Sequence, residues 1–326
     1  DGSGPYQLAE WKKGAYLKLT LNPNYSKKPS LKEVYFKLVS DPSAARLELE
    51  KGDSDIAEGI DLDQIEKLKS NSNISIVKKP SLLVDYVYIN CTKANPALKN
   101  PKVRQAINYG IDYNSIIDKV MHGYATPLAS PVPKGLWGYN ESAFKYTRNV
   151  AKAKALLKEA GVNNLQLTLL YSDRFPNWEQ EALVVQGNLK DIGVKVNLSK
   201  VAYATMRDML DSGKFDLAMG VWSPDYADPY MFMNYWFDSN NQGLAGNRAF
   251  YVNPQVDSLV RKAGSITDQA QREDLYKQAQ KIVIEDAPYI YLYQKDFMLP
   301  INKDIKGFVY NPMLEGVYNL DEMSKQ

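Results

Sequence analysis

The chain has 326 residues, 44% hydrophobic and 24% charged, with 40 basic against 38 acidic residues and a formal net charge of +2. That length holds one large core or two smaller ones, and the balanced charge argues against nucleic acid as a partner, because phosphate binding needs a concentrated basic face. A single cysteine, Cys91, excludes an intrachain disulfide; with a single histidine, His122, it leaves too few ligands for the usual zinc or nickel centre.

The opening Asp1-Gly2-Ser3-Gly4-Pro5 reads as a loop entered from something upstream, so a processed or truncated chain is expected. No apolar run approaches the ~20 residues that span a bilayer. Three helices begin with proline behind a capping side chain, at Asp41-Pro42, Asn100-Pro101 and Asn253-Pro254, and the first stops at Gly52. Residues 83–90 alternate aliphatic residues with tyrosine and polar groups, which suits a half-buried strand. Residues 149–160 form an amphipathic helix closed by Gly161.

The stretch 165–221 carries the most information. It reads as strand 165–171, helix 178–192, strand 194–198, helix 204–210 and strand 215–221. Strands and helices alternating over short connections predict βαβ units on a parallel or mixed sheet. Ligands of such sheets sit beyond the carboxyl ends of the strands, which draws attention to the loop after Val221.

Catalytic groups are scarce. There is no P-loop, no G-x-G-x-x-G fingerprint and no G-x-S-x-G elbow. His122, between Met121 and Gly123, suits a helix end. A carboxylate pair alone serves hydrolysis in glycosidases, and Asp225 with Asp228 is the best-placed pair. Asp228, however, stands before Pro229 and the apolar Met231, Phe232, Tyr235 and Trp236, the pattern of a helix cap. The chain is therefore not expected to be an enzyme; a carboxylate-based hydrolase is the alternative.

Several ordered motifs carry a family likeness over essentially the whole chain. They are GSGPYQLAEWKKGAYLKLTLNPNY, SDPSAARLELEKGDSDIAEGI, NPALKNPKVRQAINYGIDYNSIIDKVMHGYATPLASPVPKG, NVAKAKALLKEAGV, LKDIGVKVNL and GKFDLAMGVWSPDYADP. On these motifs the chain resembles the extracellular solute-binding proteins of peptide, dipeptide and nickel ABC transporters, typified by oligopeptide-binding proteins. The resemblance implies an α/β, periplasmic-binding-protein-like (Venus flytrap) fold of two lobes, incomplete at its N-terminus. Residues 1–87 with 294–326 would form the first lobe and residues 88–293 the second, hinged near Asn90 and Gln294.

What the resemblance implies for function is a receptor that captures oligopeptides or dipeptides outside the cell and delivers them to an ABC import permease, with no cofactor. Binding of an oligosaccharide or metal chelate by the same fold is the alternative ligand. Location would be extracellular, as a cell-surface lipoprotein or in the periplasm, with membrane association only through an N-terminal anchor that this chain lacks. By family analogy Asp225 would accept the ligand's ammonium group, while Trp222 and Tyr203 would wall the pocket. Ser223 and Tyr226, in the same loop, complete the candidate set. Where some members carry carboxylate-binding arginines this chain has Leu210 and Met219, which closes that route. Tyr86, Tyr88, Tyr289, Tyr291 and Tyr293 alternate along strands, so packing explains them better than sugar stacking does.

Overall fold

The computed structural model describes residues 2–243, 246–314 and 316–326. The chain divides into two units, Asp1–Lys79 with Phe297–Gln326, and Pro80–Asp296. Both divisions fall inside long strands, β4 (Ile74–Ile89) and β9 (Tyr289–Asn302).

In the first unit β1 (Tyr6–Lys12), β2 (Tyr16–Leu21) and β3 (Glu33–Lys37) form an antiparallel sheet. Gly14, at φ 77°, turns the β1–β2 hairpin in a conformation that a side chain would strain. The register sets Leu8, Leu19 and Val34 on the same face as Trp11, Leu17 and Phe36. Leu8 and Trp11 on that face stay more than half exposed. Helix α1 (Pro42–Lys51) starts as its sequence dictates: Asp41 accepts from the Ala44 amide at 2.7 Å, and Gly52 ends the helix in the left-handed region. With α2 (Leu62–Leu68) it buries Leu49, Ile65 and Leu68 against Ile74 and Met298. A short pair, β10 (Ile305–Lys306) and β11 (Ser324–Lys325), lies in the same unit.

The second unit carries α3 (Pro101–Gly110), α4 (Tyr113–Ser115), β5 (Ala125–Pro127) and α5 (Val150–Glu159). Asn100 and Asn149 cap α3 and α5 through their side chains. Then come β6 (Gln166–Ser172), α6 (Trp178–Asp191), β7 (Lys195–Val201), α7 (Tyr203–Ser212) and β8 (Leu217–Trp222). The predicted βαβ alternation is present: β6 pairs in parallel with both β7 and β8. Helices α8 (Tyr230–Phe237), α9 (Pro254–Ser265) and α10 (Gln269–Asp286) precede β9, and the sheet order is β5-β9-β4-β8-β6-β7.

Strand β4 is longer than its sequence pattern suggests, because the Lys78-Lys79-Pro80 stretch hides its first half. Its second half pairs antiparallel with β8. There Tyr86, Tyr88, Trp236 and Tyr289 pack ring to ring with centroids 4.7–5.1 Å apart. Gly220 on β8 makes room for them; a Cβ there would lie 2.3 Å from the Tyr86 ring. Just past β4, Cys91 is 4% exposed and its thiol donates to the Ile89 carbonyl.

Candidate functional site

Because β6, β7 and β8 run in one direction, the loops after Ser172, Val201 and Trp222 leave the sheet at the same end. The loop after β8 is fixed at its far side. Trp137 donates its indole N–H to the Ala227 carbonyl at 2.8 Å. The Asp228 carboxylate accepts from the Tyr230 amide and from both terminal nitrogens of Arg272, each at 2.9 Å. Asp228 is thus occupied as cap and ion-pair partner. Asp225 is exposed, and its carboxylate has no hydrogen-bond or ion-pair partner among the described residues. Of the two aspartates, only Asp225 is available to a ligand.

The neighbouring candidates differ in setting. Trp222 is half-buried 6.3 Å from Tyr235, and its indole nitrogen is buried with no acceptor among the described residues. Ser223 is exposed, and Tyr226 is 50% exposed. Tyr203 opens α7 at the end of β7, two strands from Trp222 in the order β8-β6-β7. At ~4.8 Å per strand the two strands stand roughly 10 Å apart.

Between them, after β6, is a residue that sequence reasoning passed over. The Arg174 guanidinium lies 4.4 Å from the Tyr203 ring centre and 5.8 Å from that of Phe175. Arg174 is exposed and has no carboxylate partner among the described residues. Its only sequence signal was position, a basic residue just beyond a predicted strand's carboxyl end. Leu210 and Met219, the positions without arginine, are 5% and 0% exposed and belong to the core.

Beneath this end of the sheet two acids are buried. Asp85, paired in register with Val221, accepts from the Trp178 indole N–H at 3.2 Å. Glu181, fully buried on α6, accepts from the Tyr293 hydroxyl at 2.6 Å through Oε1. Its Oε2 has no hydrogen-bond partner among the described residues. Burial, reinforced by the neighbouring Asp85 charge, pushes Glu181 up to about 8 against the pull of Tyr293 and Lys295. Burial raises Asp85 to about 6, opposed by Lys295 and the Trp178 hydrogen bond.

The strand tyrosines Tyr86, Tyr88, Tyr289, Tyr291 and Tyr293 are all at most 5% exposed, so none offers a face to a sugar. Two cavities open elsewhere in the second unit. One of about 780 Å³ lies among α3, α5 and α10 around Tyr109, Phe144 and Tyr146, and another of about 370 Å³ lies around Tyr113 and Arg148. No candidate residue lines either. Among the described residues no cluster of three His, Cys, Asp or Glu side chains could hold a metal ion, and no helix is long and apolar enough to cross a membrane.

Residues 1–243 match the family model described as bacterial extracellular solute-binding proteins, family 5 Middle. The chain is similar to the probable D,D-dipeptide-binding periplasmic protein DdpA of Escherichia coli (strain K12), 47% identical over 325 residues, covering 99% of this chain and 63% of that protein. It is 32% identical over 321 residues to the glutathione-binding protein GsiB of Pectobacterium atrosepticum, covering 95% and 62%. Among solved structures it is similar to the periplasmic binding protein DppA of Helicobacter pylori in complex with peptide STSA. That match has a TM-score of 0.85 at 29% identity, over 99% of this chain and 63% of the other. The oligopeptide-binding protein AppA of Bacillus subtilis, with a nonapeptide, gives a TM-score of 0.82 at 28% identity, over 100% and 67%. The chain spans a little under two thirds of the length of these curated relatives.

Proposed function

Because the chain belongs to the bacterial extracellular solute-binding proteins of family 5, we propose that it is the binding portion of a receptor for short peptides, of dipeptide size, working outside the cytoplasmic membrane. In this reading it passes its ligand to an ABC import permease, performs no chemistry on it and needs no cofactor. One observation carries the reading. Two opposite charges, Asp225 and Arg174, stand without a partner of opposite charge among the described residues, on the loops after the neighbouring strands β8 and β6.

A dipeptide is a zwitterion with its ammonium and carboxylate a few ångströms apart. Asp225 would take the ammonium and Arg174 the carboxylate, with a planar donor fork suited to that anion. Trp222 and Tyr203 would flank the ligand, and exposed Ser223 and Tyr226 would border the ammonium end. The names of the relatives, which include binders of dipeptides, glutathione and longer peptides, support a ligand with peptide bonds and charged termini.

Calorimetry with L,L- and D,D-dipeptides, each free, N-acetylated and C-amidated, tests this. Wild type is expected to bind a free dipeptide and to lose roughly tenfold or more on acetylation or amidation, as expected for a lost charge-assisted contact. Asp225→Asn should no longer distinguish the acetylated form, and Arg174→Gln should no longer distinguish the amide. Equal binding of all three forms by wild type would show that neither residue reads a terminus.

A further inference from the structure

Three contacts join the buried acids to the exposed guanidinium. Asp85 holds the Trp178 indole; the Trp178 ring lies 4.4 Å from Phe175; and Phe175, 6.1 Å from Tyr203, shares with that ring the Arg174 guanidinium. Trp178 and Glu181 are three residues apart in the first turn of α6, so they lie on the same side of the helix. We infer that the Asp85–Glu181 pair is a positioning device for Arg174: with one carboxyl neutral it seats Trp178, Phe175 and the guanidinium, and with both ionised it releases them.

The physical reason is charge in a dry place. The groups that face the pair among the described residues are Tyr293 and Lys295 from β9 and Trp178 from the start of α6, with Asn177 beside the Tyr293 hydroxyl. Tyr293 satisfies one oxygen of Glu181 and leaves the other without a donor. Such an oxygen is tolerable while the group carries its proton and costly once it is charged. Lys295, half-buried, offsets one negative charge. A second charge leaves two anions in one pocket. The route to relief is outward movement of the first turn of α6, which carries Trp178 and draws on the loop holding Phe175 and Arg174. Glu181 touches no ligand group in this scheme; it acts through Trp178.

The consequence for affinity rests on the peptide-binding reading, but the movement itself does not, so the decisive test omits ligand. With ¹³C-arginine, the Arg174 δ-CH₂ protons should show the upfield ring-current shift that Tyr203 imposes, assigned by its loss in Arg174→Lys. In wild type that shift should collapse as pH rises through about 8, the value for Glu181. In Glu181→Gln, which mimics the protonated acid, it should persist to alkaline pH. Asp85→Asn removes one of the two charges while keeping an acceptor for Trp178, and should likewise hold the shift across the range. Collapse at the same pH in all three proteins, or no collapse in wild type, overturns the inference. A second reading uses affinity. The wild-type to Glu181→Gln ratio of dissociation constants cancels titration of the ligand itself. It should rise roughly fivefold or more from neutral to alkaline pH, the size of a modest coupling. A flat ratio with peptide bound overturns the positioning role and leaves the function standing. Absence of peptide binding in every variant sinks the function, while the ring-current titration still decides the pair.

Discussion

Arg272 grips Asp228 with both terminal nitrogens, each 2.9 Å from its oxygen, while its guanidinium lies 4.9 Å from the centre of the Trp137 ring. Trp137 in turn holds the Ala227 carbonyl. One cation on α10 thereby organises the loop that presents Asp225. Arg272→Met should cost roughly 1–2 kcal/mol of stability, since it strands a carboxylate that is mostly shielded from water. It should also weaken the ligand preference for a free ammonium without touching Asp225. Chemical denaturation and binding of free against acetylated dipeptide measure the two effects separately.

Tyr203 seats Arg174, so it should matter through the guanidinium more than through contact with ligand. Tyr203→Phe keeps the ring and should change affinity less than about twofold. Tyr203→Leu removes the π-face and should lose roughly three- to tenfold, the worth of a partly exposed cation–π contact. The loss should be smaller for a C-amidated peptide, which has no carboxylate to offer Arg174. Calorimetry of wild type and both variants, each with free and C-amidated peptide, checks this.

Stability should depend on pH through Glu181. Its folded-state pKa is raised from 4.5 to about 8 by burial, so the folded chain holds the proton more tightly than the unfolded chain does. The stabilisation from that proton is full below about pH 4.5 and is lost as pH rises through about 8. Glu181→Gln has no such proton to lose. The melting temperature of the variant minus that of wild type should therefore grow by several degrees from pH 5 to about pH 9. A constant difference across that range would contradict a neutral Glu181.

Gly220 should tolerate no side chain. A Cβ there would fall 2.3 Å and 2.9 Å from atoms of the Tyr86 ring and 2.7 Å from the Tyr88 ring. Both rings are locked among Trp236 and Tyr289 and cannot turn away cheaply. Gly220→Ala should cost about 1–3 kcal/mol by overpacking and lower the denaturation midpoint. Because the strain sits two residues before Trp222, ligand affinity should fall as well.

The face of the first sheet that shows Leu8 and Trp11 should drive association. Contiguous exposed apolar residues mark a surface that prefers contact to water. Paired Leu8→Ser and Trp11→Ser substitutions should reduce concentration-dependent self-association in sedimentation experiments, without lowering the melting temperature.

Local chemistry made much of the fold legible. Asp41-Pro42, Asn100-Pro101 and Asn253-Pro254 start helices because a side-chain acceptor and a ring with no N–H satisfy the first turn from within a few residues. The alternation from residue 165 to 221 resolved into β6, α6, β7, α7 and β8 for a similar reason. Asp228 as a cap was readable beside Pro229; its tie to Arg272, 44 residues on, was not. Glu181 shows where such reading stops. In Trp178-Glu179-Gln180-Glu181 it looks like a solvated helix face, and only β9, 112 residues later, reveals it as buried against Tyr293. Arg174 escaped notice because its partner is a ring on the next strand's helix, and ring faces leave no pattern in the sequence.

Cys91 is the chain's single thiol, and it is sealed in the second unit with its pKa pushed up to about 11 by burial. Thiolate, the reactive form, is thus scarce as well as inaccessible. A maleimide can then modify this protein only when the second unit opens, and the first unit contributes no signal. Where reclosing outruns the reagent, the labelling rate reads the equilibrium between closed and opened states; at high reagent it reads the opening rate itself. The sequence has built in a clock for one unit, and a bound ligand should slow it in proportion to how tightly it is held.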